Sequence, residues 1–489
     1  MLELAGGPAP PTRRLLPSVL LVSEALAIAI TLVAYKLVLV AIGLLAQRRT
    51  RDAADFFLGG RTLGPWVAAI SASASSSSAW TLLGVSGAAY AWGLGALWIF
   101  PACVGGFCLN WIVLAPHVRR LSREQGALTV TDMLAGPPDA PGSTSIRGVC
   151  TAIVLISLLA YVAAQFQGAG KTFHETFAMP MSTAVLLGGG IIVLYTLLGG
   201  FWAVSLTDTL QGLVMVSAAV VVPAVALSAV GGPGDLLDAL SRVEVAGYDS
   251  LVRGWAPAAG VGFVLGLLGI GLGYPGQPHV VNRFMAIRDE SAMKQARRIA
   301  IGWAVIMFAG MLLTGWCARV LLPELADPEV ALLGVTRHLL PPVVAGVMIA
   351  AVLSAVMSTA DSQLLVAASA VAHDLRGSAG SAALGRTRLT VLVLSTVAVG
   401  LALVGSAEIF SRVLFAWTAM GAAFGPLLLV RVLAGPVRPR ARLGSIVMGF
   451  SLSVAAYSTP GLAGGPWERI APFVVAFAVA WWGRSEAED

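Results

Sequence analysis

Apolar residues run along this chain in long blocks separated by short polar intervals. Thirteen blocks stand out, near 18–46, 65–92, 94–115, 149–170, 182–199, 204–230, 256–279, 298–320, 340–372, 387–405, 410–433, 441–459 and 466–483. Each is long enough as a helix to cross roughly 30 Å of hydrocarbon. Helix is the form such blocks must take, because lipid offers no partner to a backbone N–H or C=O and a helix satisfies its own. The pattern predicts an all-α membrane protein of thirteen transmembrane helices. The pair Arg13-Arg14 before the first block resembles the start of a signal peptide. The block is too long for such a segment and lacks a small-residue cleavage site, so it is assigned as the first span.

Composition agrees with the pattern. Of 489 residues 57% are hydrophobic and 11% charged, and the mean hydropathy is +0.85. The longest intervals, near 116–148 and 231–255, leave no room for an appended soluble domain. A net charge of +6 would suggest nucleic acid if it were clustered, but the basic residues are scattered over many short loops. One alternate set of loops holds most of them, among them Arg48, Arg49, Arg51, Arg119, Arg120, Arg123, Arg283, Arg288, Arg376, Arg438 and Arg440. Cytoplasmic loops retain Lys and Arg, so this set is assigned inside, the N-terminus outside and the C-terminus in the cytoplasm of a bacterial-type inner membrane. An odd number of spans is what that orientation needs. Cys103, Cys108, Cys150 and Cys317 sit in apolar stretches with no metal-ligand spacing, as small buried residues do.

The polar exceptions carry the chemistry. The second block contains Ser71-Ala72-Ser73-Ala74-Ser75-Ser76-Ser77-Ser78-Ala79-Trp80 at the depth where a helix should be most apolar. Serine hydroxyls compete for backbone bonds and favour a break. Irregular backbone within a membrane persists where it lines a cavity, and transporters place coupling ions at such breaks. The alternative is a small-residue face for close helix approach. The ninth block carries Ser354-Ala355-Val356-Met357-Ser358-Thr359-Ala360-Asp361-Ser362. Sodium prefers oxygen ligands, as other hard cations do. Carbonyls at Ala74, Ser77 and Ala355 with the hydroxyls of Ser358 and Thr359 make a five-oxygen cage between the two helices. Asp208 either caps the sixth span or serves a cation. Asp361, one turn past Ser358, would bind a second cation with Asp208 and Ser362, carry a proton, or pair with a neighbouring helix. The seventh block ends in Gly271-Leu272-Gly273-Tyr274-Pro275-Gly276-Gln277-Pro278-His279, which cannot continue a regular helix. Two interrupted helices in corresponding positions suggest two inverted five-helix repeats, 65–230 and 256–433. They would follow a tail at 1–17 and a first helix with its loop at 18–64, be joined by an external loop at 231–255, and precede two last helices at 434–489.

Gly271, Gly273 and Gly276 satisfy G-x-G-x-x-G, but they follow a span rather than a strand, and Gly170-Lys171-Thr172 lacks the first glycine of a P-loop. Neither nucleotide motif stands. No acid pair or histidine cluster suits an intramembrane enzyme.

Phe57-Leu58-Gly59-Gly60-Arg61-Thr62-Leu63-Gly64, the serine run, Tyr195 through Val204, Thr207-Asp208-Thr209-Leu210-Gln211, Gly271 through His279, Arg283-Phe284-Met285 and Met357-Ser358-Thr359 resemble, in order, the motifs of the sodium/solute symporter family, and within it those of bacterial sodium/proline symporters. The resemblance implies a leucine-transporter-type core, sodium as coupling ion, a small organic solute with proline foremost, and no nucleic-acid or obligate protein partner. It places sodium at Ala74, Ser77, Ala355, Ser358 and Thr359, lets Asp208 assist, and sets Tyr161, Tyr274 and Pro278 against the solute. Ser76 and Ile270 stand where proline carriers have an acid and a tryptophan, and Gln165 and Asp361 also depart from that branch. Ser76, Gln165 and Ile270, with Ser78 and Trp80, which also suit packing, complete the candidate solute set. Another amino acid or a carboxylate is the alternative cargo, and a transporter-like membrane sensor the alternative class.

Overall fold

The computed structural model describes residues 18–47, 58–198, 201–374, 381–405 and 408–485. Phe57, Gly199 and Gly200 of the motifs above, and Arg13, Arg14, Arg48, Arg49, Arg51 and Arg376 of the charge pattern, lie outside them. The first half of the chain forms α1 (Ser18–Gln47), α2 (Pro65–Ser76), α3 (Val85–Trp92), α4 (Ile99–Cys108), α5 (Ala115–Glu124), α6 (Val130–Ala135), α7 (Ser143–Phe177), α8 (Met181–Leu198), α9 (Phe201–Val230) and α10 (Pro233–Ser241). The second half forms α11 (Pro257–Leu268), α12 (Pro278–Ala286), α13 (Glu290–Leu321), α14 (Ala331–Leu339), α15 (Pro342–Ser369), α16 (Ser381–Val404), α17 (Ile409–Ala434), α18 (Pro439–Ser458), α19 (Pro466–Arg469) and α20 (Ala471–Trp482). Among the described residues the only β pairing is two isolated bridges, Leu63 with Ile287 and Val437 with Arg484.

Helix covers each of the thirteen apolar blocks. Nine described segments are long and apolar enough to cross a membrane, one of them the 45-residue stretch Trp80–Glu124. The two numbers differ for physical reasons. Gly93, at φ 58, turns the chain between α3 and α4, so that one stretch holds two helices. The helices α2, α8 and α20 offer too short an apolar stretch to qualify alone, and α18, 20 residues long, is made too polar by Arg440 and Arg442 in its first turn. The interval at 231–255 contains α10, and the one at 116–148 contains α6.

Position in the bundle runs against apolarity, since the most apolar spans can face lipid while those that carry polar residues are enclosed by protein. The apolar windows of α17 and α15 are 94% and 83% buried, whereas that of α1 is 17% buried. Leu26, Ile30, Val33 and Leu37 of α1, and Leu389, Val393 and Val397 of α16, are accordingly exposed toward lipid. At the centre α15 packs on α9, α7 and α2, and α2 also meets α12 and α13.

Both central helices break where the serine and glycine-proline runs predict. After Ser76 the backbone of Ser77 turns extended at φ −108 and ψ 90, and its N–H bonds Ala74 O at 3.2 Å. The chain then resumes as a wide turn over Trp80–Gly84 before α3, the kind of irregularity that often marks a functional position. The second break spans Gly269–Gly276, tightens to a 3₁₀ turn, and ends at Gln277. Pro278 then starts α12, since its missing N–H costs nothing at the first helical position. The restart overturns one expectation. Arg283 is not a loop residue but lies buried in α12, 1% exposed.

Candidate functional site

The break in α2 leaves helix-end carbonyls that need partners, each costing about 1–3 kcal/mol if buried without one. Helix α15 supplies them. Ser358 Oγ donates to Ala74 O at 3.1 Å and to Ala355 O at 3.3 Å. Thr359 Oγ1 donates to Ser75 O at 3.1 Å. Ala74, Ser77, Ala355, Ser358 and Thr359 are all buried. Ser358 therefore brings Ala74 and Ala355 together, while Thr359 reaches Ser75, which sequence reasoning left out of the cage. Ser77 touches the group through its backbone, and its hydroxyl has no partner among the described residues.

One turn earlier on α2 lies a second polar cluster. Asp208 Oδ2 accepts from Ser71 Oγ at 2.9 Å, from Ser75 Oγ at 3.1 Å and from Arg283 Nη2 at 2.7 Å. Arg283 also donates from Nε to Ser71 Oγ at 2.8 Å and from Nη2 to Ser362 Oγ at 2.6 Å, and Ser75 and Ser362 share a hydrogen bond of 3.0 Å. The network joins α2, α9, α12 and α15 around a fully buried ion pair. Asp208 stands two turns inside α9, not at its start, so it caps nothing. Asp361 is not in this network. Its Oδ1 is bonded by Thr196 Oγ1 of α8, while Oδ2 has no partner among the described residues. Of the three residues expected to hold a second cation, Asp208 and Ser362 are joined by a guanidinium and Asp361 faces another helix. Arg283 was missed because a loop was expected there. The apolar spacing of Val280, Val281, Phe284 and Met285 was the available signal for a buried helix.

The solute candidates line the two breaks. Ser78 Oγ accepts from Trp80 N at 3.1 Å and from Tyr161 OH at 3.2 Å, and Gln165 Oε1 accepts from Ala79 N at 3.0 Å. Helix α7 thus satisfies the backbone that the first break exposes. Gln165 Nε2 and Trp80 Nε1 are buried donors without a partner among the described residues. Ser76 turns back to Ser73 O at 2.9 Å and faces none of these groups by hydrogen bond. At the second break Tyr274 packs edge-on to Trp417 of α17 with centroids 4.7 Å apart, and Tyr161 lies 6.5 Å from the same ring. Trp417 Nε1 donates to Ile270 O at 3.2 Å, and Gln277 Nε2 bonds both Gly273 O at 2.9 Å and Trp417 O at 3.0 Å. Ile270, Tyr274 and Pro278 are buried. Trp417 is a further member of the cluster that sequence reasoning did not reach, because an aromatic in an apolar span carries no local signal.

A membrane-spanning bundle with two broken helices and a cluster of carbonyl and hydroxyl oxygens where one of them meets its neighbour defines a class, the ion-coupled secondary transporters. Residues 56–447 match the model of the sodium:solute symporter family, and the chain belongs to that family. It is a sodium-coupled solute transporter and not an enzyme. It is 35% identical over 462 residues, 92% of each chain, to the osmoregulated proline transporter OpuE of Bacillus subtilis (strain 168). It is 33% identical over 452 residues to the sodium/proline symporter of Escherichia coli (strain K12), covering 89% of this chain and 88% of that one. Its fold is similar to that of a sodium-coupled sialic acid symporter in a substrate-bound outward-open state, with a TM-score of 0.77 at 16% identity, covering 93% of this chain and 97% of that one. The nucleobase-cation symporter Mhp1 aligns with a TM-score of 0.56 at 14% identity, over 88% of this chain and 96% of that one.

Proposed function

We propose that this chain imports proline with sodium by alternating access, and that one sodium ion binds between α2 and α15. The contact of Ser358 and Thr359 with the carbonyls of Ala74 and Ser75 carries the reading. A cation placed among these oxygens replaces the bridging hydrogen bonds with ligand bonds and, with Ala355 and Ser77, reaches a hard-cation shell. Binding there bridges the first break and fixes the backbone that presents Ser78 and Trp80, so sodium favours the conformation that also holds solute. Two relatives named for proline transport support the cargo. The unpartnered donors Gln165 Nε2 and Trp80 Nε1 suit its carboxylate, and Tyr161, Tyr274 and Trp417 suit its ring.

Arg283 supports a count of one sodium. Its guanidinium already joins Asp208 Oδ2 to Ser362 Oγ, and Asp208 Oδ1, which has no partner among the described residues, is by itself too little for a second hard-cation shell. The uneven distribution of arginine supports an external N-terminus and a cytoplasmic C-terminus. The deciding experiment is uptake of labelled proline into proteoliposomes with and without a sodium gradient, followed by reversal-potential measurement. Accumulation driven by sodium at one ion per solute is expected. Uptake indifferent to sodium removes the cage, and a ratio of two removes the assignment of Arg283.

A further inference from the structure

The apolar window Ala25–Ile42 of α1 holds a single charged residue, Lys36, and α15 holds a single one, Asp361. Ionisable side chains at such depth are costly and seldom idle. The two helices lie against each other in register. On α1 the buried stripe is Ile28, Leu32 and Leu39, while Val33 and Leu37 face lipid and Lys36 stands at the edge between. Along α15 a Cβ on Gly346 would lie 3.3 Å from the Cα of Ile28. Two turns on, Tyr35 OH meets Ser354 Oγ at 2.6 Å, and because Ser354 gives its own proton to Ala350 O, the tyrosine is the donor. Next, Lys36 Nζ donates to Met357 Sδ, with the ammonium 5.4 Å from the centre of the Tyr35 ring. Numbers rise together in these contacts, so α1 and α15 run parallel, and Gly346, Ser354, Met357 and Asp361 follow one face of α15.

Neither charge is satisfied where it stands. A thioether is a weak acceptor, and the ammonium has two protons more to place. Asp361 Oδ1 accepts from Thr196 of α8, but Oδ2 is buried without a partner among the described residues. Met357 and Asp361 are four residues apart on one face, about 5.4 Å along the axis. The sulfur thus holds the ammonium about one turn short of the bare carboxylate oxygen, a distance that the four-carbon stem of lysine can cover. The nearby Asp208 is already paired with Arg283. Asp361 also stands three residues past Ser358 and two past Thr359, so any charge left on it acts on the oxygens assigned to sodium.

We propose that Lys36 is a resident cation for Asp361, a positioning residue through which α1 sets the electrostatic field at the sodium oxygens of α15. The proposal rests on the sodium assignment made above. An ammonium fixed to the protein balances the carboxylate, so the field at Ser358 and Thr359 is that of their own oxygens. Tyr35 and Met357 keep the ammonium inside the bundle, where a lysine on a lipid-facing helix would otherwise extend toward the headgroups.

Sodium chloride is the probe. The melting temperature of the purified full chain, titrated with sodium while choline replaces it at constant chloride, yields a sodium half-saturation without any solute. A unit charge within a turn or two, at an effective dielectric of about 20, shifts cation affinity by about tenfold. Lys36→Met keeps the length of the stem and uncovers the carboxylate, so half-saturation should fall about tenfold. Asp361→Asn uncovers the ammonium and should raise it about tenfold. The two changes together should return it to within twofold of wild type, and Lys36→Arg should leave it there. Opposite shifts that cancel mark a compensating pair, whereas a packing role lowers the melting temperature in choline without them. Shifts of the same sign, shifts below twofold in both single variants, or a double variant that does not return overturn the proposal. Where a single variant is not produced, membrane yield carries the test, because the double variant must restore it and one no better than the failing single overturns the pair. A wild type whose melting temperature ignores sodium removes the sodium site instead. The pair is then judged in choline alone, by whether the losses of the two single variants cancel in the double.

Discussion

Thr359 shows how a single hydroxyl divides structure from function. Its Oγ1 donates to Ser75 O at 3.1 Å, so Thr359→Val keeps the volume and removes one oxygen from the proposed cage. Loss of one such ligand, about 1–3 kcal/mol, should raise the sodium concentration for half-maximal uptake about tenfold or more, with membrane yield nearly unchanged. Unaltered sodium dependence would take Thr359 out of the site. Asp208 and Arg283 predict a different pattern, because each neutralises the other in a fully buried place. Arg283→Gln alone leaves a buried charge without its partner and should cost about 3–5 kcal/mol, read as lost yield and lower melting temperature. Adding Asp208→Asn should recover much of that loss, a coupling that a thermal-shift double-mutant cycle measures directly. Asp361→Asn should leave the sodium-to-solute ratio as it is, since its carboxylate faces Thr196 rather than the cage. A lowered ratio would restore Asp361 as a cation ligand.

At the scale of helices, the two breaks are made differently. The first is a run of serines whose freed backbone is taken up by neighbours: Ala74 and Ser75 by α15, Ala79 by Gln165 of α7. The second is a close passage of backbone against backbone. A Cβ on Gly276 would lie 2.5 Å from Met420 O and 2.6 Å from the Cα of Gly421 in α17. No rotamer change relieves such a contact, so Gly276→Ala must part the break from α17 and should cost several kcal/mol, in the range of about 1–3 or more for overpacking. Strongly reduced yield or a melting temperature lowered by several degrees is the expected result. Gly105→Ala, with open space around its Cβ, serves as the neutral comparison in the same assay.

Across the whole molecule, the interval between α5 and α7 is held in place through the short helix α6. Arg147 and His373 bond the carboxylate of Asp132, Thr129 Oγ1 donates to Asp374 at 2.8 Å, and Arg442 Nη1 donates to Ala135 O at 3.1 Å. The short helix is thereby tied to the end of α15, the helix that carries Ser358 and Thr359. Burial alone would raise the Asp132 carboxyl, but hydrogen bonds from His373 and Arg147 outweigh it and hold the group well below the usual carboxylate range. A carboxylate lowered by folding contributes stability that is complete above its unfolded pKa and is lost only as pH falls through the folded value. The Asp132 carboxylate therefore stays ionised between about pH 6 and 8, whereas His373, raised above its ordinary value chiefly by its hydrogen bond to Asp132, gives its share of the pair in full at the lower end and loses it as pH rises through its own folded pKa. Asp132→Asn should loosen α6 at all those pH values. Cys150, buried in α7 near Arg147 and Asp374, is the reporter. Its labelling by a membrane-impermeant maleimide in inverted vesicles, read by peptide mass, should rise several-fold. Equal labelling in variant and wild type would show that α6 does not guard Cys150.

The sequence alone determined the helical class, the family and the position of both breaks, because these rest on local chemistry: apolar run length, serine competition for backbone bonds, and the inability of glycine and proline to continue a helix. It also offered Ala74, Ser77, Ala355, Ser358 and Thr359 as candidates, since sodium's need for oxygen left few choices in apolar surroundings. Partnership was decided only by the tertiary structure. Thr359 and Ser75, Asp208 and Arg283, Asp361 and Thr196, and Trp417 with Tyr274 are each separated by more than seventy residues. Which of them meet depends on the angle and height at which α2, α9, α12, α15 and α17 cross. Those are properties of packed volumes, and no single stretch of sequence encodes them.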